Sequence, residues 1–457
     1  MTVSDLPPAP AVFVEAAAAL DASTGVAAGT RDLYAPAPSS RGSGATTSFY
    51  RRYGHTFEAL ELRQGVPMGT LTAQRDETTI ASQRAGVGVT AGRGRAALLG
   101  LLVLLAAAAA AMVAAPAARA ALPSQFLGVT TEDAYVGTDA YAQQQLKAQR
   151  AAGFTVVRQV FRWDEINPLA NVFDFSATDR FVRNAAIAGM RVVPLLQGEP
   201  KWASSRPAGN TSRYIYPPRS VTTYAAFAGA IARRYGPGGE FWLGHPELTA
   251  YPITRYQLWN EPNFPLYWAG KPNPAAYAKL VIAAAASIRS FDKTAYIISA
   301  GLPDSKLGQK PERYVRRMLK AGAGKALDAI GIHPYAQTPA LSLAIARQLR
   351  RAVNRAGGRK LDLWVTEIGW AAGGPKTPAR TVTRAKQGPT IVAAVRKLTA
   401  ARKSLRLKGI VYYAWRDAEV YAGGKDFWGL HTGLLDRNGK AKPALKVVSR
   451  ALRKLKK

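Results

Sequence analysis

A (β/α)8 TIM barrel, an α/β fold, is the class this sequence predicts, on three observations. Eight short β-branched or aromatic runs alternate with longer segments of helical period between residues 121 and 457. The helical segments carry start and stop punctuation. No glycine-rich phosphate loop follows the first strand, which removes the main argument for a doubly wound open sheet. A strand and a helix repeated eight times in roughly 330 residues is the arithmetic of such a barrel with modest insertions.

The predicted strands are 126–130, 155–160, 191–196, 255–259, 295–299, 329–333, 361–367 and 409–415. Between them, Ser176 with Asp179 three residues later reads as a capping box, with Gly189 as the stop. Asn273-Pro274 opens a helix over 275–290. The last helix, 444–456, puts Leu445, Val448, Leu452 and Leu455 on one face and Lys446, Arg450, Arg453 and Lys457 off it.

Ahead of this domain the chain reads differently. Residues 1–92 hold no Lys and no Trp and consist of short apolar runs split by turn-formers such as Pro7, Pro8, Gly25 and Pro36. Such a segment does not bury enough apolar surface to offset its ordering entropy, so it is expected to be a disordered extension. Arg93 and Arg95 then precede an unbroken apolar run, 96–116, and the small-x-small triplet Ala118-Arg119-Ala120. Positive flank, apolar stretch and small-residue exit are the parts of a secretory signal. About 20 apolar residues also suffice for a membrane anchor. Segment 93–120 is thus expected to be a signal peptide or an anchor, and the protein secreted or extracytoplasmic. An internal start near Val87 or Val89 would account for the overhang.

The 62 Lys+Arg and 29 Asp+Glu give a net charge of +33, of which residues 1–120 contribute only +2. Residues 341–408 contain 16 Lys+Arg and only Asp362 and Glu367 as acids. Most of these cations fall in helical segments, which in a barrel form the outer ring, and no nucleic-acid motif is present. The excess is expected to serve adhesion to acidic polymers, with no specific nucleic-acid partner. With no cysteine there are no disulfides, iron–sulfur clusters or thiolate zinc sites. His55, His245, His333 and His431 are too dispersed for a local metal motif, so neither metal nor cofactor is expected.

Functional groups of such barrels stand at the C-terminal ends of the strands. Those ends offer Arg158 on the second strand, Asn260-Glu261 after the fourth, His333 and Tyr335 after the sixth, Glu367 after the seventh and Trp415 after the eighth. Glu261 and Glu367 each follow an apolar run, and a carboxylate closing a buried strand calls for a reason. Taken singly, Asn260-Glu261-Pro262-Asn263 is equally well a turn, His333-Pro334-Tyr335 a packed loop and Trp415 a core residue. Their joint occurrence in this order is what points to a site.

Arg158 five before Trp163, Trp259-Asn260-Glu261-Pro262, His333-x-Tyr335, Trp364-Val365-Thr366-Glu367 and Tyr413-Ala414-Trp415 resemble the signature positions of glycoside hydrolase clan A, the retaining barrel glycosidases. The tail from Phe427-Trp428-Gly429-Leu430 to Lys442-Pro443-Ala444 is similar to the close of that barrel in families 5 and 39. The resemblance covers 121–457 and implies a monomeric enzyme that cleaves O-glycosidic bonds of a β-linked glycan by double displacement. It implies Glu261 as acid/base and Glu367 as nucleophile, with Arg158 and Tyr335 holding Glu367 ionised. By the same resemblance Asn260 bonds the sugar 2-hydroxyl, His333 orients the group and Trp415 stacks on the sugar, with a cis peptide at Trp415-Arg416. The charge of Glu367 is expected to raise the Glu261 pKa. Trp163, Trp202, Tyr267, Trp268, Trp370 and Trp428 are candidate subsite walls, Tyr267-Trp268 foremost; Trp364 and Trp242 read as packing. The rival classes are a non-catalytic glycan-binding barrel and a binder of anionic polymers.

Overall fold

The computed structural model describes residues 122–456 apart from 211–214, 377–379 and 421–425. The extension 1–92 and the signal or anchor segment 93–120 lie outside the described residues. Eight parallel strands close into a barrel in sequence order, with β1 pairing both β2 and β8. They are β1 Leu127–Thr130, β2 Val156–Arg162, β3 Arg191–Gln197, β4 Arg255–Leu258, β5 Tyr296–Pro303, β6 Ala329–His333, β7 Asp362–Ile368 and β8 Leu407–Tyr412. A long helix follows each: α1 Asp139–Ala152, α2 Ser176–Ile187, α3 Val221–Tyr235, α4 Pro274–Phe291, α5 Pro311–Lys320, α6 Pro339–Arg355, α7 Arg384–Ala400 and α8 Pro443–Lys456.

Local chemistry accounts for most boundaries. Asn273 caps α4, its Oδ1 accepting from Ala275 N and Ala276 N at 3.1 and 3.0 Å, with Pro274 at the first helical position. Gly189 (φ 67°) ends the α2 segment as expected. The α2 start differs: Ser176 is already helical, and Asp174 Oδ1 accepts from its N–H at 2.9 Å. Asp179 is drawn away from any capping box because it accepts from Arg234 Nε at 2.7 Å and from Tyr235 hydroxyl at 2.6 Å. An ion pair between neighbouring helices thus replaces the local cap.

The lower barrel is filled by Val156, Val193, Ile298, Ala329, Trp364 and Val411, one cluster contributed by six strands. Trp364 lies across β8, and it fits because position 409 is glycine; a Cβ there would come within 2.5 Å of the indole. Trp242 is also buried packing, 8% exposed. This apolar floor leaves the upper barrel to polar groups.

Candidate active site

Arg158 lies in the middle of β2, not at its end as the sequence suggests, and its guanidinium links three strands. Nε donates to Gln257 Oε1 at 2.7 Å, Nη1 to Glu367 Oε1 at 2.9 Å and Nη2 to Asn260 Oδ1 at 3.3 Å. Glu367 receives a second donor, the Tyr335 hydroxyl, at 2.8 Å from Oε2. Burial alone would raise the Glu367 pKa; His333, Arg158 and the Tyr335 and Arg158 hydrogen bonds outweigh it, and the net direction is downward.

Glu261 stands opposite, 1% exposed, with its Oε1 2.6 Å from His333 Nδ1. Its pKa is raised, first by burial and only to a smaller degree by the charge of Glu367. The sequence-based cause was therefore the secondary one. His333 Nε2 lies 3.6 Å from Glu367 Oε1, so one imidazole spans both carboxyls. The ring fits there because β5 has glycine at 301, where a Cβ would come 1.9 Å from His333 Nε2. Glu261 Oε2 is buried without a hydrogen-bond partner.

The backbone at Glu261 is not a relaxed turn. Trp259 (φ 68°) and Glu261 (φ 42°) both occupy the left-handed region, which costs non-glycine residues about 1–3 kcal/mol each. Neighbouring strands hold this bend in place. Trp259 N donates to Leu196 O at 3.1 Å, Glu261 N to Gly301 O at 3.2 Å, and the Trp259 indole to Tyr267 O at 2.7 Å.

Glu261, His333 and Glu367 place one oxygen or nitrogen each within 4.8 Å of one another, a spacing that also suits a cation. The donor set fits that poorly. Arg158 and Tyr335 already donate to Glu367, and His333 Nδ1 is committed to Glu261. A guanidinium on the same carboxylate repels a cation.

The eighth strand corrects the sequence reading. Strand β8 ends at Tyr412, three residues before the expected end, and the non-proline cis peptide is Tyr413-Ala414, not Trp415-Arg416. Trp415 is 1% exposed, donates from Nε1 to Gln145 Oε1 at 2.9 Å in α1, and meets Phe154 edge-on. It packs the barrel against α1 and has no face for a sugar. Tyr413, half-buried, lies nearer the carboxyls: its hydroxyl pKa is raised by burial, then by Glu132 and Glu367.

Among the proposed subsite aromatics, Tyr267 is half-buried and feels burial first, then Glu261, Glu367 and Glu132. Trp202 is half-buried against the edge of Trp163. Trp163, Trp268, Trp370 and Trp428 are buried and correct the expectation. Trp163 stacks on Phe227, Trp268 meets Trp259 and Tyr277, and Trp370 donates to Ala336 O. Trp428 packs 5.0 Å from Tyr335 and so buttresses the group that holds Glu367. Beyond Gly301 and Tyr413, sequence reasoning missed Gln257 and Glu199. Gln257 is visible as a polar residue in an apolar strand. Glu199, 7% exposed just past β3, has its pKa pushed up to about 7 by burial, and its Oε1 accepts from Tyr216 N at 2.9 Å.

The closed eight-strand order, with these groups at its upper end, has solved counterparts. The fold is that of family 39 glycoside hydrolases. A family 39 glycoside hydrolase from Bacteroides cellulosilyticus superposes with a TM-score of 0.56 at 18% identity, over 73% of this chain and 64% of that one. A monomeric beta-xylosidase from Caulobacter crescentus gives 0.54 at 17%, over 72% and 68%. A family 39 enzyme from Xanthomonas axonopodis gives 0.55 at 18%, over 72% and 66%. The chain thus spans about two thirds of the length of these structures. No protein-family model matches it, nor does any curated protein.

Proposed function

We propose that this chain is a retaining glycoside hydrolase of clan A, acting by double displacement on the O-glycosidic bonds of a β-linked glycan. One observation carries the reading: two carboxyls, Glu261 buried and Glu367 largely buried, with oxygens within 4.8 Å of each other and pKa values moved in opposite directions. Retaining enzymes set their carboxyls about 5–5.5 Å apart, whereas inverting enzymes leave room for a water. The barrel shared with family 39 enzymes supports the same reading.

Glu367, ionised under Arg158 and Tyr335, attacks the anomeric carbon while Glu261 gives its proton to the leaving oxygen. A glycosyl ester on Glu367 and a free alcohol result. The charge on Glu367 has then gone, which lowers the Glu261 pKa and lets it take a proton from water. That water attacks the anomeric carbon and releases the Glu367 carboxylate. His333 Nδ1 shares a proton with Glu261 Oε1 and aims the carboxyl, leaving Oε2 for the leaving group. Asn260, whose Oδ1 is held by Arg158, retains its amide donor for a sugar hydroxyl.

Incubation with a 2-fluoro aryl β-glycoside should leave a glycosyl adduct on the peptide that contains Glu367, read by mass spectrometry. An adduct elsewhere, or equal turnover of a β-glycan panel by wild type and Glu367→Gln, would sink the assignment in favour of a glycan-binding barrel. We further read the enzyme as exported, on the strength of Arg93, Arg95, the 96–116 run and Ala118-Arg119-Ala120, and as a monomer, by analogy with the monomeric Caulobacter crescentus beta-xylosidase of the same fold. Among the described residues no helix is long and apolar enough to cross a membrane. N-terminal sequencing of material from the medium distinguishes cleavage from anchoring.

A further inference from the structure

Helices α7 and α8 touch at Gly388, where a Cβ would come within 3.0 Å of Ala444 Cα and Val447 Cβ. Alongside this contact lies a groove of about 600 Å³. Its walls carry Arg396 from α7 and Lys446, Arg450 and Lys454 from α8, all exposed, and its floor is aliphatic, with the buried Val392 and Ala451. Neither helix contains an acidic residue. Among the described residues none of the four cations forms an ion pair or a side-chain hydrogen bond.

This is not how helices α1 to α3 treat their cations. There Arg183 pairs with Asp139, Arg234 with Asp179 and Arg233 with Glu240. On α8, Lys446, Arg450 and Lys454 recur every fourth residue, a single row with steps of about 6 Å. Like charges at that spacing destabilise a helix. The row therefore works against the fold and raises the positive potential over a concavity, which is the arrangement that attracts a polyanion.

We propose that the α7–α8 groove is a binding site for an extended anionic polysaccharide, separate from the catalytic mouth. No aromatic lines the groove, so there is no platform on which bases could stack. Among the residues lining the groove, Val447, 40% exposed, is the one large apolar side chain that protrudes, too little for insertion into a bilayer. Aliphatic floor and cationic walls match the C–H faces and carboxylates of an acidic glycan. The choice of a glycan rests on the hydrolase reading; the anion site itself does not.

The test uses the chain without its leader segment removed artificially, and polygalacturonate as probe. Wild type is expected to bind it with an affinity that falls steeply as salt rises. The quadruple variant Arg396→Gln, Lys446→Gln, Arg450→Gln, Lys454→Gln should bind at least tenfold more weakly with a shallower salt slope, while turnover of a neutral aryl β-glycoside changes less than twofold. Arg450→Glu alone should weaken binding in the same direction. Undiminished binding by both variants overturns the proposal. So does tighter binding of single-stranded DNA or of phosphatidylglycerol vesicles than of polygalacturonate under the same salt, with the same sensitivity to the variants. Loss of aryl-glycoside turnover in wild type would count against the hydrolase reading and leave the binding result to stand by itself.

Discussion

Arg158 and Arg450 carry the same charge in opposite settings. At the barrel mouth Arg158 is 2% exposed and donates to Gln257, Asn260 and Glu367, whereas Arg450 on α8 is exposed and, among the described residues, forms no ion pair or side-chain hydrogen bond. Buried charge is tolerated only when its partners are fixed, so every group around Arg158 is constrained and each substitution there should be felt. Exposed charge is screened within about 8–10 Å and acts collectively, so single substitutions on the outer helices should do little to stability or to turnover of a neutral substrate. A net charge of +33 therefore mixes two unrelated uses of the same residues.

The largest effect should come from Glu367→Gln, with kcat falling by about 10⁴-fold or more while the circular dichroism melt stays close to wild type. A loss of only tenfold would erase the contrast between the regions. Arg158→Met should lower kcat/KM by about 10²–10³-fold and cost about 3–5 kcal/mol of stability, because Glu367 is left buried without its cation. Its second signature lies in the pH profile. On the proposed mechanism Glu367 acts ionised and Glu261 protonated, so kcat/KM should rise with pH through the lowered pKa of Glu367 and fall through the raised pKa of Glu261. Removal of Arg158 should move the acid limb upward and narrow the bell.

Gly301→Ala should cost about 1–3 kcal/mol in thermal unfolding and reduce kcat, since the new methyl collides with the imidazole that spans both carboxyls. A variant with unchanged melting and activity would mean that His333 has freedom the structure does not give it. Glu199→Gln addresses pH and stability together. The folded pKa of Glu199, about 7, exceeds its ordinary value of 4.5, so between these values the native state holds more protons than the unfolded one. Stability should fall as pH rises through that window, by at most about 3 kcal/mol. The glutamine variant, still able to accept from Tyr216 N, should remove that slope and melt higher at neutral pH. The smallest effect belongs to Arg351→Gln on α6, within about 0.5 kcal/mol and with unchanged kcat/KM on a neutral substrate.

Strand-helix alternation, the cap at Asn273 and the apolar runs leading into Glu261 and Glu367 are local patterns, and they were legible residue by residue. Strand ends were less so. A run such as 409–415 looks uniformly apolar and aromatic, yet pairing with β1 and β7 stops at Tyr412. That displacement left Trp415 buried and put the cis peptide at Tyr413-Ala414. Aromatics were the hardest to assign, because Trp163, Trp370 and Trp428 have the same composition of neighbours whether they line a cleft or fill the space behind it.

What the sequence by itself determined was the barrel, the two carboxyls and the company they keep, because period, spacing and residue type are properties of a chain segment. Tertiary structure alone decided that Arg158 reaches up from mid-strand, that glycine at 301 admits His333, and that burial more than the charge of Glu367 raises Glu261. It also decided that four cations from two helices surround one groove. Distance between residues far apart in sequence and the desolvation that follows from closure exist only once the eight strands have met.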